Sequence, residues 1–248
     1  MRDYLVFQLY APLVSWGDQA VGQERPSADH PSRSALLGLL AAALGIDRSD
    51  ETQQQKLTDC CHFGIKLYSP GLAMRDFHTA QVPPSKAGIK YLYTRKDELD
   101  ELARLADPKI GTILSFRSYR QDSYSVATVW LEGEHHCSLV QLSEALKAPH
   151  FHLYLGRKAC PLAAPLNPQL KQCESMKQAL DEYSPAVELQ PLARNSASRY
   201  YWEPSDHSGL TETYRVPRYD EPISRQRWQF SSREEAVYLS GEESHVPQ

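Results

Sequence analysis

The sequence predicts an α+β protein built around one sheet, with a second, irregular β-rich part at its C-terminal end. Three observations carry this. Strand-like and helix-like stretches alternate over residues 1–148, one helix is apolar on every side, and 14 Tyr and 17 Pro favour β-structure with many irregular connections.

Residues 4–10 are rich in β-formers and end before Ala11-Pro12, which suits a first, central strand. Residues 12–33 carry Gly17, Gly22, Pro26 and Pro31 among polar residues and read as a long loop, a kind of segment that is usually functional. That loop carries Arg25. From Ala35 to Leu44 no side chain is polar, so the helix is buried all round, with Ser32 or Ser34 as N-cap and Gly45 just past its end. The run is far short of the ~20 residues that span a bilayer.

A polar turn at 47–52, a short helix at 53–59 and a strand at 61–68 follow, closed by Ser69-Pro70-Gly71. Residues 82–122 lack a core-like pattern for much of their length. They read as a protruding excursion with an exposed helix at 95–104 and a strand as its returning arm. A strand at 124–131 and a helix at 138–147, with Leu139, Leu142, Ala145 and Leu146 at helical spacing, complete the set. Strand, helix, strand, excursion, strand, helix is the order of a ferredoxin-like, RNA-recognition-motif-like sheet. Residues 149–248 form the irregular β-rich lobe, with a helix at 169–180 and short strands at 198–202, 212–217 and 228–230.

A length of 248 residues allows a sizeable core, and 23% charged with 41% apolar residues is ordinary for a globular chain. A net charge of −4 does not announce a nucleic-acid binder, but a local basic surface is what decides that. Five Cys without a CxxC pair point to reduced thiols, and the N-terminus shows no signal peptide, so a cytoplasmic location is expected.

Cys60-Cys61-His62 and His135-His136-Cys137 set candidate ligands side by side, where a strand would point them to opposite faces; common zinc spacings are absent, so no metal or cofactor is expected. There is no GxSxG and no GxxxxGK[ST]. Arg33 is out of place, because a cation at a helix start opposes the macrodipole. Either it helps the N–H groups of Ser34 and Ala35 hold an anion, or it is a solvated or ion-paired Arg. Arg also recurs beside aromatic residues, at 75–78, 116–120, 199–202, 218–219 and 225–228. Unpaired bases stack on rings and guanidinium planes while Arg neutralises phosphates, so the mixture suits single-stranded RNA.

The run Pro31-Ser32-Arg33-Ser34-Ala35-Leu36-Leu37-Gly38-Leu39-Leu40, with Arg75-Asp76-Phe77-His78-Thr79 and Tyr154-Leu155-Gly156-Arg157-Lys158-Ala159-Cys160-Pro161, closely resembles the Cas-five family of the RAMP superfamily, in its type I-E CRISPR (Cascade) branch. The resemblance runs nearly the whole chain in order. It implies a modified RNA-recognition-motif fold over 1–148 with an extended thumb at about 79–122. It also implies a non-catalytic subunit that grips the 5′ handle of the CRISPR RNA (crRNA) and caps the backbone filament. Its partners would be the crRNA, Cas-seven-type backbone subunits, a large PAM-reading subunit and, through the complex, target DNA; no membrane is involved.

On this reading the RNA-binding residues are Arg25, Arg33, Ser34, Arg75, His78, Arg117, Tyr119, Arg120, Arg157 and Lys158, with Arg225 and Arg227. The alternative is a metal-independent endoribonuclease, as in type I-C members, for which His78 with Lys86 would serve. Several acids at 95–107 set the thumb apart from better-known members.

Overall fold

The computed structural model describes residues 1–84, 92–104, 111–193 and 198–240. In chain order its elements are β1 (Arg2–Val14), β2 (Glu24–Arg25), α1 (Arg33–Leu44), α2 (Glu51–Cys60), β3 (Cys61–Ser69), β4 (Leu72–Val82), α3 (Arg95–Arg104), β5 (Gly111–Leu131) and α4 (Leu139–Lys147). There follow β6 (Gln169–Cys173), α5 (Met176–Asp181), a 3-10 turn (Val187–Leu189), α6 (Gln190–Ala193), β7 (Arg199–Trp202), β8 (Tyr214–Ser224) and β9 (Gln229–Leu239).

β1 is the central strand expected of its composition. It pairs antiparallel with β5 through Leu5↔Val129 and with β6 through Leu5↔Leu170. β3 covers the other side of β5, giving the order β6-β1-β5-β3, antiparallel throughout. Beyond β3 the sheet continues through β7, β9 and β8.

Strand alternation divides the core in two. Leu5, Phe7, Leu9, Ala127 and Val129 face the helical layer, where Leu36, Leu37 and Leu40 of α1, Leu57 of α2 and Leu142 and Leu146 of α4 pack on them. Tyr4, Val6, Tyr124, Val126 and Trp130 face the opposite side, under Met176, Ala179 and Leu180 of α5. A Cβ on Gly64 would lie 2.2 Å from the Met176 sulfur, so glycine on β3 is what lets α5 seat against the sheet. α1 is bounded as its sequence suggests: the Ser32 hydroxyl accepts from the Ala35 N–H, and Gly45 adopts φ +78° at the C-terminus.

Three expectations need correction. The sheet crosses the expected boundary between residues 148 and 149: β6 extends one edge and β7 the other, satisfying backbone groups that β1 and β3 would otherwise leave unpaired. The helix expected over 169–180 is strand β6 followed by the short α5, because the edge of β1 claims residues 169–173. The excursion starts earlier than 79 or 82. β4 pairs with β5 from Leu72↔Gln121 to Val82↔Gly111, and β5 runs 21 residues from that hairpin straight into the central sheet.

Candidate nucleic-acid interface

The N-terminus of α1 is not an open anion site. Arg33 is 5% exposed, and its backbone N–H donates to Asp220 Oδ2 at 2.7 Å, so the anion at this helix start is a side chain of β8. The guanidinium lies 3.0 Å from Glu203 and 3.1 Å from Glu221, and it donates to the carbonyls of Thr58 and Cys61. The Ala35 N–H is taken by Ser32, and the Ser34 carbonyl accepts from Arg225. The Arg33 side chain, the Ser34 carbonyl and the N–H of Ala35 are therefore occupied within the fold. The cause is the β8–β9 hairpin, whose acids sequence order gave no reason to place beside α1. Arg233 completes the group by pairing with Asp220 and Glu235. Burial would push the Glu235 carboxyl up, but His30 and the arginines hold it down at about 2.

Arg225 belongs to the same interior. It donates to the Ser34 carbonyl at 2.7 Å, and burial together with Arg48 and Arg33 lowers its pKa to about 10. Arg227 is exposed beside it on the hairpin turn. The Arg-aromatic run at 199–202 is also mostly core, with Tyr200, Tyr201 and Trp202 at 4%, 6% and 3% exposure. The aromatic face of the sheet is thus covered rather than offered to bases.

The hairpin is different. β2 lies beside β5 on the side away from β4, with Glu24 opposite Phe116 and Arg25 opposite Arg117. The result is a three-stranded ribbon, β4-β5-β2, with two outward faces. Register and alternation put Arg75, Phe77, Phe116, Ser118 and Arg120 on the first face. There the Arg75 guanidinium sits 4.1 Å from the Phe116 ring centre and pairs with Glu24, while Phe77 packs 5.1 Å from Phe116 and stays half exposed.

The second face carries Asp76, His78, Arg117, Tyr119 and Arg25. His78 Nε2 lies 2.7 Å from Asp76 Oδ2. Tyr119 is buried, and the Arg157 guanidinium covers it at 4.7 Å from the ring centre. Arg157 also donates to the carbonyls of Ser118 and Arg25, which ties the turn at 154–161 to both β5 and β2. That turn needs Gly156. Its φ is +88°, and an added Cβ would sit 1.7 Å from the Ser15 carbonyl oxygen. Lys158 is exposed two residues on.

Charge pairing distinguishes most interior arginines from the ribbon cations, the exception being Arg225, which bonds the Ser34 carbonyl and has no ion-pair partner among the described residues. Among the described residues Arg33, Arg199, Arg218 and Arg233 each meet a carboxylate, whereas Arg25, Arg117, Arg120, Arg157 and Lys158 have none as an ion-pair partner. The ribbon and the 154–161 turn bound to it thus carry five uncompensated cations, two half-exposed or stacked phenyl rings and one Asp–His pair. Phe77 and Phe116 lie within the runs that sequence singles out but are not among its named residues. Arg48, whose guanidinium lies 4.4 Å from the Trp228 ring centre, sits within the polar turn at 47–52 with no local signal at all. Lys86 lies outside the described residues. Among the described residues no group of three His, Cys, Asp or Glu is placed to hold a metal, and no helix is long and apolar enough to cross a membrane.

A family model described as CRISPR-associated protein (Cas_Cas5) matches residues 4–234. The CRISPR system Cascade subunit CasD of Escherichia coli (strain K12) is 30% identical over 241 residues, spanning 97% of this chain and 98% of CasD. A chain of a solved CRISPR RNA-guided surveillance complex superposes with a TM-score of 0.65 at 24% identity, covering 96% of this chain and 90% of its own. A chain from a structure titled as a Cas protein gives 0.56 at 22% identity, with 96% and 94% covered.

Proposed function

The chain belongs to the Cas5 family of CRISPR-associated proteins, and we propose that within a Cascade complex it is the non-catalytic subunit that grips the 5′ handle of the crRNA and caps the backbone filament. The observation that carries this is the β4-β5-β2 ribbon. Its unpaired cations Arg25, Arg117, Arg120, Arg157 and Lys158 suit a phosphate chain, and Arg75 stacked on Phe116 beside Phe77 offers a platform for unpaired bases. The antiparallel order β6-β1-β5-β3 supports reading the core as a ferredoxin-like sheet. Because α5 covers the sheet's aromatic face, RNA would be held on the ribbon and not on the sheet. Partners on this reading are the crRNA, Cas-seven-type backbone subunits, a large PAM-reading subunit and, through the complex, target DNA. Free cysteines fit a cytoplasmic complex.

The test is nuclease protection of the handle in complexes assembled with and without this chain. The reading predicts a protected handle only when the chain is present, and loss of protection with Arg117→Ala/Arg157→Ala. A handle equally digestible in both would refute it.

One observation favours the endoribonuclease reading: Asp76 lies 2.7 Å from His78, close enough for a carboxylate to orient a general base. Incubating the purified chain with repeat RNA in EDTA separates the two. The scaffold reading predicts intact RNA; specific cutting that His78→Ala abolishes would establish the enzyme.

A further inference from the structure

The turn between β8 and β9 is held against α1 and the segment that follows it. Arg225 donates to the Ser34 carbonyl, and Arg48 Nε donates to the Arg225 carbonyl at 3.0 Å. Trp228 closes the turn with a φ of +58°, in the left-handed region that a bulky side chain rarely adopts. Its ring is 60% exposed, whereas Trp16, Trp130 and Trp202 are buried at 4%, 2% and 3%. The Arg48 guanidinium lies 4.4 Å from the ring centre, and Phe230 meets the ring at 85° with centroids 5.6 Å apart. Ile223, 58% exposed, extends the apolar surface.

Three arginines gather here without a carboxylate between them. Arg48, Arg225 and Arg227 have no ion-pair partner among the described residues, and Arg48 and Arg225 are bonded to carbonyls instead. The neighbouring Glu51 carboxylate is engaged by the Ser224 hydroxyl. Burial first, and then the charges of Arg48 and Arg33, lower the Arg225 pKa. A patch of like charges beside an open ring suits a chain that brings both anions and flat bases, which is a single-stranded nucleic acid.

This patch is not the ribbon. The turn is fixed beside Arg33, whose guanidinium reaches the Cys61 carbonyl where β3 begins. β5 leaves the sheet for the ribbon beyond Ser69↔Tyr124, at the other end of β3. On the proposed function the RNA handle lies on the ribbon, and DNA opened by the guide is the second single strand in the complex.

We propose that the β8–β9 turn is a second nucleic-acid contact, for single-stranded DNA. An unpaired base stacks on Trp228 beside Ile223, and the flanking phosphates pair with Arg48 and Arg227. The choice of DNA over RNA rests on the handle occupying the ribbon.

The test uses intrinsic fluorescence, because Trp228 alone of the four tryptophans is exposed. Oligothymidylate is titrated into the full chain, with and without saturating 5′-handle RNA, and its affinity is read separately from the anisotropy of a labelled oligonucleotide. The proposal predicts quenching that Trp228→Phe abolishes, and an affinity that falls roughly 5- to 150-fold in Trp228→Ala. In Arg48→Ala/Arg227→Ala the salt slope should shrink by about 1.4, the share of two phosphates on a single strand. Quenching should persist with the handle bound and in Arg25→Ala/Arg117→Ala/Arg157→Ala, so failure of the ribbon reading is distinguishable from failure here. Handle RNA that quenches Trp228 and displaces the DNA would overturn the proposal, as would wild-type affinity in Trp228→Ala. A wild-type chain whose fluorescence DNA leaves unchanged would also overturn it, and that titration decides the point if a variant does not fold.

Discussion

Arg33 Nε lies 3.0 Å from Glu203 Oε1, and the two side chains are 6% and 15% exposed. A cation at a helix start thus serves to join α1 to the strand end after β7 and, through Glu221, to β8. Its second donor set, to the carbonyls of Thr58 and Cys61, fixes the α2–β3 junction at the same point.

Arg33→Ala is therefore a stability variant. It removes the cation between Glu203 and Glu221 and the donor to two buried carbonyls, leaving Glu203 with His62 and the Phe63 N–H, a loss of roughly 3–5 kcal/mol. Thermal or urea unfolding of the isolated chain should show it, while the salt dependence of RNA binding by the folded fraction stays at the wild-type slope. A stable variant with a reduced slope would return Arg33 to the RNA surface.

Stability should peak in mildly acidic solution. His30 is buried with Nδ1 2.6 Å from Asp29 and Nε2 2.8 Å from Glu235, stacked on Tyr201, with Arg218 and Arg233 also facing Glu235. Burial disfavours the imidazolium, but the two carboxylates outweigh it and raise the His30 pKa, while Asp29 and Glu235 are each held at about 2. The His30 contribution is complete below the unfolded value of about 6.5 and fades as pH rises through the raised folded value. That of the carboxylates is complete above their unfolded values near 4 and fades as pH falls towards 2. Tm should decline on both sides of a window at roughly pH 4.5–6.5. His30→Gln should flatten the alkaline limb, and an unchanged limb would count against this pairing.

Gly156→Ala should damage RNA binding without touching RNA. Its Cβ would meet the Ser15 carbonyl oxygen at 1.7 Å, an overlap that forces the backbone to move, on top of about 1–3 kcal/mol for the positive φ alone. The turn carries Arg157, so displacement should weaken handle affinity along with stability. Wild-type affinity in this variant would show that Arg157 does not depend on the turn.

The first face of the ribbon has its own signature. Phe116→Ala removes the ring under Arg75 and beside Phe77, and stacking on such a platform contributes ~1–3 kcal/mol per base. Handle affinity should fall roughly 5- to 150-fold on that range with the salt slope unchanged, since no phosphate contact is lost. Unaltered affinity would remove this face from the interface.

These residues also mark what could be read from the chain beforehand. α1 was legible because an unbroken apolar run, a Ser cap and Gly45 are local signals. β1, β3 and the part of β5 in the central sheet were legible from local alternation and β-forming residues. What could not be read depends on contacts far apart in sequence. Asp220 reaches α1 across 187 positions, and Glu235 reaches His30 across 205. The Arg-aromatic motif has the same form at 116–120 and at 199–202. Only the pairing of β7 between β3 and β9 makes the second one core. Residues 169–173 carry a weak helical pattern that the open edge of β1 overrides.

On the proposed function, the second face of the ribbon holds the crRNA phosphates through Arg25, Arg117 and Arg157. The most direct measurement is the slope of log Kd against log salt for a 5′-handle RNA, with the wild-type chain and with Arg25→Ala/Arg117→Ala/Arg157→Ala in the assembled complex. Loss of three phosphate contacts to a single strand predicts a slope smaller in magnitude by about 2, with affinity falling together with it. The same slope in both proteins would contradict the account.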